Sequence, residues 1–237
     1  MSLLRTVWWF IFFFGYLLYS LPTLKKLKKL PHTLTEEEKR EITHRLPKNW
    51  AKNLVQLTRT KVSVSGEDNI PPGPVLLVSN HQGNFDVPIL LGYINKPFGF
   101  ISKIEVKKIP LISRWMEVME CVFLDRTDRR KAIMSIRDGV EKMKAGNSIV
   151  LFPEGTRSKG SKMNEFKTGG LRLAIDSKVP IVPIKISGSY VIMEKSKWGF
   201  QPGNVSVVIG EPITLPEGKI DSKELAVQLQ NVIEQLK

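Results

Sequence analysis

The 237-residue sequence has one cysteine and three histidines, and it is short of acid: 23 Asp and Glu stand against 36 Lys and Arg, a net charge of +13. A single thiol excludes an intramolecular disulfide and suits a reducing compartment. Cys121 stands in the apolar run CVFL with no base beside it, which reads as a small buried hydrophobe rather than a nucleophile. Clusters with metal-ligand spacing are absent, so no metal or other cofactor is expected. GTRSKGSK has the G-x4-G spacing of a phosphate loop, but Ser161 stands where the lysine is required, and the nucleotide reading fails. There is no G-x-S-x-G nucleophile elbow. Shortage of acid points to a polyanionic partner: nucleic acid, an anionic membrane surface or a phosphorylated substrate.

The N-terminus decides among these. Thr6–Leu24, TVWWFIFFFGYLLYSLPTL, carries no charge. As a helix these 19 residues reach about 28 Å, close to the hydrocarbon thickness of a bilayer. Trp8, Trp9, Tyr16 and Tyr19 are of types that favour the membrane interface, and Lys25, Lys26, Lys28 and Lys29 follow at headgroup depth. No small-x-small cleavage site marks a signal peptide, so an anchor is expected, spanning or half-inserted, at the cytoplasmic face of the cytoplasmic or inner membrane. A nucleic-acid binder would explain the charge but not this aromatic segment. TEEE at 35–38 reads as a capping box opening a charged helix, and Pro47 as the first-turn residue of another. In KNWAKNLVQLTR, Trp50, Leu54 and Leu57 share one side, with Lys48, Lys52 and Arg59 opposite. Beside the anchor this face is read as membrane contact; the alternative is packing against the soluble part.

From Lys61 onward, short apolar runs (KVSVS, VLLVS, PFGFIS, CVFLD, SIVLF, IVPIKI, NVSVVIG) alternate with helical stretches at 87–94, 110–120, 129–144 and 171–177, and a last one at 222–236. This pattern predicts an α/β fold with a largely parallel or mixed central sheet flanked by helices. The expected division is a membrane-anchoring helical motif over 1–60 and a catalytic α/β domain over 61–237. Ligands of such sheets bind at the carboxyl ends of the strands. There the sequence puts Asn80, His81 and Asp86, then Lys103 and Glu105, then Arg126, then PEGTRS with Glu154, Gly155, Thr156 and Arg157, and finally SGS.

His81 and Asp86 can meet if His81 lies in the loop after its strand and Asp86 begins the next helix, which Pro88 supports. Asp86 would then hold one ring nitrogen and leave the other as base. Arg157 offers a planar fork suited to phosphate, and Glu154 an acceptor for a substrate hydroxyl. A base without a side-chain nucleophile, beside cations and a membrane anchor, points to acyl transfer onto a lipid phosphate.

Four ordered blocks carry a further signal: NHQGNFD, KIEVKKIP with FLDR, FPEGTRS and VPIVPI, spanning about residues 79–184. With them the sequence resembles the glycerophospholipid acyltransferase family. The resemblance implies His81 as general base and Asp86 as its partner, and places Arg126, Glu154, Gly155 and Arg157 at the glycerol phosphate acceptor. Thr156 lies in the same block, and Lys103 is implied in phosphate binding or oxyanion stabilisation. It further implies an acyl thioester donor (acyl-ACP or acyl-CoA), a lysophosphatidic acid acceptor acylated at its sn-2 hydroxyl to phosphatidic acid, and an N-terminal helical motif dipping into one leaflet. Two positions depart from the family pattern: Gly83, where serine is common, and Ser113, where glycine is. Competing readings are acylation of glycerol 3-phosphate or another lysophospholipid by the same site, and a non-catalytic basic peripheral membrane protein.

Overall fold

The computed structural model describes residues 3–27, 29–196, 198–218 and 220–237. Lys28, expected at the headgroups, lies outside the described residues. Helix α1 (Leu3–Tyr19) runs almost without a break into α2 (Leu21–Leu27). Trp9, Leu17 and Leu24 of this pair are buried, whereas Leu4, Trp8, Ile11, Phe14 and Leu18 are exposed. The segment is therefore apolar all round but packed on one side only.

Helix α3 (Glu36–Leu57) opens with the capping box, Thr35 and Glu38 each bonding the other's backbone N–H. It is one helix and not two: Pro47 lies buried inside it. The side expected to meet lipid is turned inward as well. Of that side, Leu54 is buried in the same cluster as Trp9 and Trp50 is partly buried against it, while Leu57 stays open; Ala51 and Val55 of the same helix are fully buried too. The Trp9 indole donates to the Leu54 carbonyl at 2.9 Å, so α1 is fastened to α3 by a hydrogen bond as well as by packing.

The remaining elements are β1 (Lys61–Ser65), β2 (Leu76–Ser79), α4 (Asp86–Tyr93), β3 (Gly99–Lys103), α5 (Ile112–Val118), β4 (Val122–Leu124), α6 (Arg129–Lys144), β5 (Ile149–Leu151), α7 (Arg172–Ser177), β6 (Ile181–Ser187), β7 (Asn204–Ile209) and α8 (Ser222–Gln235). The sheet has seven strands in the order β1-β7-β6-β2-β5-β3-β4. All neighbours pair in parallel except β6 with β7, so the sheet is mixed. Successive residues of a strand face opposite sides, and β2 shows it. Leu77 joins the core under α3 and α4, while Leu76 and Val78 join the core under α6, α7 and α8. The result is a helix–sheet–helix sandwich. Strands β2, β5, β3 and β4 lie side by side, and their carboxyl ends deliver His81, Glu154–Arg157, Lys103 and Arg126 to one edge.

Candidate active site

The loop after β2 is fixed at every step. Asn80 exchanges hydrogen bonds with the Ile186 backbone, donating at 2.9 Å and accepting at 2.7 Å. Gln82 accepts from the Gly188 N–H at 2.9 Å, which gives the SGS turn a purpose: it clamps this loop. On the other flank, the Ser158 and Lys159 N–H groups donate to the carbonyls of His81 and Gln82.

Held in this way, His81 Nδ1 lies 2.7 Å from Asp86 Oδ2. Asp86 is the first residue of α4 and is completely buried. The same oxygen accepts the Gly83 N–H at 2.8 Å. An ionised carboxylate only accepts hydrogen bonds, so opposite it the Nδ1 position is the donor and the Nε2 lone pair of the neutral ring is left free. The ring stacks on Phe152 with centroids 4.1 Å apart.

The FPEGTRS block turns sharply after β5. The Gly155 N–H donates to the Phe152 carbonyl at 3.1 Å, and Gly155 takes a left-handed φ of 71°. A Cβ there would sit 3.1 Å from Arg126 Nη1 and 3.4 Å from Lys167 Nζ, so glycine serves both the turn and the approach of two cations. Arg126 donates to the Gly155 carbonyl at 2.7 Å. Arg157 reaches across to the Asn84 side-chain oxygen.

Glu154, expected to accept from a substrate hydroxyl, is not among the residues lining the cleft. It is buried below the cleft, Oε1 accepting the His81 N–H at 2.6 Å and Oε2 the Asn164 N–H at 2.8 Å. Burial pushes its carboxyl pKa up while these two bonds pull it down. Its place is beneath His81, where it holds two loops together. Glu105, in the 3-10 turn after β3, is not among the residues lining the cleft. Cys121 is buried, and that burial pushes its thiol up to about 12, so it is inert as a nucleophile. Ser113 is buried in α5.

From His81 a cleft of about 1370 Å³ runs beneath the N-terminal helices. Its walls include Phe13, Trp50, Leu91, Trp115, Met116 and Met119, and its mouth Lys103, Arg126, Thr156, Gly155 and Arg157. Two residues that sequence reasoning passed over stand at or beside it. Lys167 lines the mouth, its N–H donating to the Pro153 carbonyl. Glu194 packs against the back of the His81 loop. Lys167 had a signal, being a cation in the FKTGG turn soon after FPEGTRS; Glu194 had none.

The family model for acyltransferases matches residues 61–187, more than half of the chain. The chain belongs to the acyltransferase family. It is 36% identical over 183 residues to a chloroplast 1-acyl-sn-glycerol-3-phosphate acyltransferase of Arabidopsis thaliana, covering 76% of this chain and 51% of that relative. It thus spans about half the length of the plant protein. A Pseudomonas aeruginosa 1-acyl-sn-glycerol-3-phosphate acyltransferase is 31% identical over 177 residues, covering 72% of this chain and 67% of the relative. The crystal structure of the 1-acyl-sn-glycerophosphate acyltransferase PlsC from Thermotoga maritima superposes with a TM-score of 0.85 at 30% identity, over 99% of this chain and 93% of that one. The α/β fold with its mixed sheet and apolar N-terminal helix is that of this structure.

Proposed function

We propose that this acyltransferase moves a fatty acyl group from a thioester, acyl-CoA or acyl-ACP, to the sn-2 hydroxyl of 1-acylglycerol 3-phosphate, giving phosphatidic acid. The observation that carries this reading is the His81–Asp86 pair where an apolar cleft meets a cationic mouth. His81 Nε2 takes the hydroxyl proton as the oxygen attacks the thioester carbonyl. The tetrahedral intermediate then collapses, the C–S bond breaks, and the imidazolium returns the proton to the departing thiolate. Arg157 and Arg126 take the acceptor phosphate, Lys103 the phosphate or the oxyanion, and Gly155 and Thr156 shape the rim. Glu154 acts through the backbone of His81.

Residues 1–60 serve as the membrane-anchoring helical motif and 61–237 as the catalytic domain, on the cytoplasmic face of the cytoplasmic or inner membrane. Support comes from Leu4–Leu27, which by length and apolarity meets the requirement for crossing a bilayer (mean hydropathy 1.5) yet has only 22% of its most apolar stretch buried. Because α1 is fastened side-on to α3, it fits a segment dipping into one leaflet beside the domain.

The deciding assay incubates the purified protein with a panel of lysolipids and glycerol 3-phosphate, each with radiolabelled acyl-CoA and acyl-ACP. Turnover restricted to 1-acylglycerol 3-phosphate, lost in His81→Ala, is expected. Turnover on glycerol 3-phosphate alone, or none on any acceptor, sinks the proposal.

A further inference from the structure

Against the back of the His81 loop sits a carboxylate that none of the four sequence blocks contains. Glu194 follows β6 and the 3-10 turn at Ser189–Val191, and its side chain is only 6% exposed. Oε1 accepts the Asn84 N–H at 2.7 Å and lies 3.6 Å from Arg157 Nη1. Oε2 has no hydrogen-bond partner among the described residues. It rests against Gly83, where an added Cβ would collide with Oε2 and lie 2.8 Å from Cδ. Gly83 does not have a left-handed φ, so its missing side chain answers to space and not to torsion. Three carboxylates thus each accept one N–H of this loop: Glu154 from His81, Asp86 from Gly83 and Glu194 from Asn84. Of the three, only Glu194 also pairs with a cation at the mouth.

A buried carboxylate with an unpartnered oxygen is unfavourable unless a counter-charge offsets it. Arg157 supplies that charge. Its Nη1 is committed to Asn84 Oδ1 and Glu194, while the rest of the guanidinium fork remains for an anion. A guanidinium already held in place loses less freedom when it binds. We propose that Glu194 is a positioning residue for the acceptor phosphate: it fixes Arg157 and Asn84 relative to His81, and Gly83 is the position that makes room for it. This rests on the reading of Arg157 as a phosphate ligand. The chemistry of the step is unchanged; what Glu194 sets is how well the acceptor is held while the donor and the base act.

The test is steady-state kinetics on the full chain with 1-acylglycerol 3-phosphate and acyl-CoA, for Glu194→Gln, Arg157→Gln, their pair, and Gly83→Ala with and without Glu194→Ala. Glu194→Gln should raise the acceptor KM about tenfold, the effect of losing one charge-assisted contact, and leave kcat and the donor KM within about twofold. In the Arg157→Gln background it should add nothing, because its route runs through Arg157. Gly83→Ala should raise the acceptor KM in the natural chain and have no effect once Glu194 is alanine. Melting curves on each variant separate these effects from loss of fold. An unchanged or lowered acceptor KM in Glu194→Gln, or an equal rise with and without Arg157, overturns the proposal while leaving Arg157 as phosphate ligand intact. An Arg157→Gln variant with unchanged acceptor KM overturns that ligand assignment, and the role given to Glu194 with it.

Discussion

One oxygen of Asp86 serves both His81 and Gly83: Oδ2 lies 2.7 Å from the ring Nδ1 and accepts the Gly83 N–H at 2.8 Å. The carboxylate thereby fixes the ring and the loop that carries it in one contact. If His81 is the base, removing it should cost what general-base catalysis supplies, so His81→Ala should lower kcat about 10²–10⁴-fold in a protein that still folds, with a melting temperature lowered only by the lost Asp86 bond and Phe152 stack. Asp86→Asn should keep an oxygen for the Gly83 N–H and lose the charge that stabilises the imidazolium. It should therefore lower kcat with little change in either KM. An Asp86→Asn variant with normal kcat would separate Asp86 from the chemistry.

Arg157 and Lys are not equivalent at this position. The guanidinium reaches Asn84 through one nitrogen and keeps further planar donors free, whereas an ammonium is a single point. Arg157→Lys keeps the charge and should still raise the acceptor KM, by about tenfold for one lost charge-assisted bond. The donor KM is the internal control: an equal rise in both would mean a general disturbance of the mouth.

Each of the seven strands falls on one of the short runs read from the sequence, to within a residue at its end, because β-branched and aliphatic runs bounded by turns carry their own signal. His81 and Asp86 were legible for a related reason: a strand end, a short loop and a helix start confine them to each other's reach. Where interactions cross the chain, the sequence was silent. The antiparallel pairing of β6 with β7 depends on where a connection returns, not on composition. Pro47 reads as a helix start but lies inside α3, buried, because tertiary packing of Ala51, Leu54 and Val55 holds that helix together. Glu154 reads as a free carboxylate at a strand end, and only the fold reveals the two backbone N–H groups that occupy it. Glu194 lies 110 residues from Asn84, the backbone it supports, and no spacing rule links them.

His44 gives the fold an acid limit. It is buried in α3 against Phe98, its Nε2 unpartnered among the described residues. Burial, and secondarily Lys48, lowers its pKa from 6.5 to about 4. The folded state thus binds this proton less readily than the unfolded chain. The sign follows: the contribution to stability is fully present above pH 6.5 and is lost as pH falls from 6.5 towards 4, with a slope approaching about 1.4 kcal/mol per pH unit. His44→Leu should flatten the decline of Tm across that window and leave Tm at pH 7.5 nearly unchanged. Parallel Tm-against-pH curves for the two proteins would show that His44 is not the group responsible.

The two faces of α1 make opposite predictions, and this distinguishes lipid contact from packing. Trp9 is buried among Phe13, Phe85 and Phe200 and donates to Leu54, so Trp9→Ala should destabilise the fold by about 3–5 kcal/mol. The same packing makes deletion of the helix a poor test of anchoring, since Leu17, Leu24 and Trp115 form a cluster beneath it and the Trp115 indole donates to Ser20 Oγ at 2.8 Å. The exposed side is the informative one. Ile11, Phe14 and Leu18 are all exposed, so replacing them together by serine removes none of the buried side chains. Full burial of such side chains is worth about 1.5–3 kcal/mol each, so even half-burial in lipid predicts about 100-fold weaker binding to vesicles. The acceptor's chain can remain in the bilayer while its phosphate rises to the cationic mouth, so this variant should lose activity on vesicle-borne acceptor and keep it on a short-chain soluble one. Binding through Lys25, Lys26 and Lys29 alone predicts otherwise: high salt would release the natural chain, and the triple serine variant would bind as tightly as before. Vesicle flotation of both proteins, at low and high salt, decides between lipid insertion and a purely electrostatic attachment.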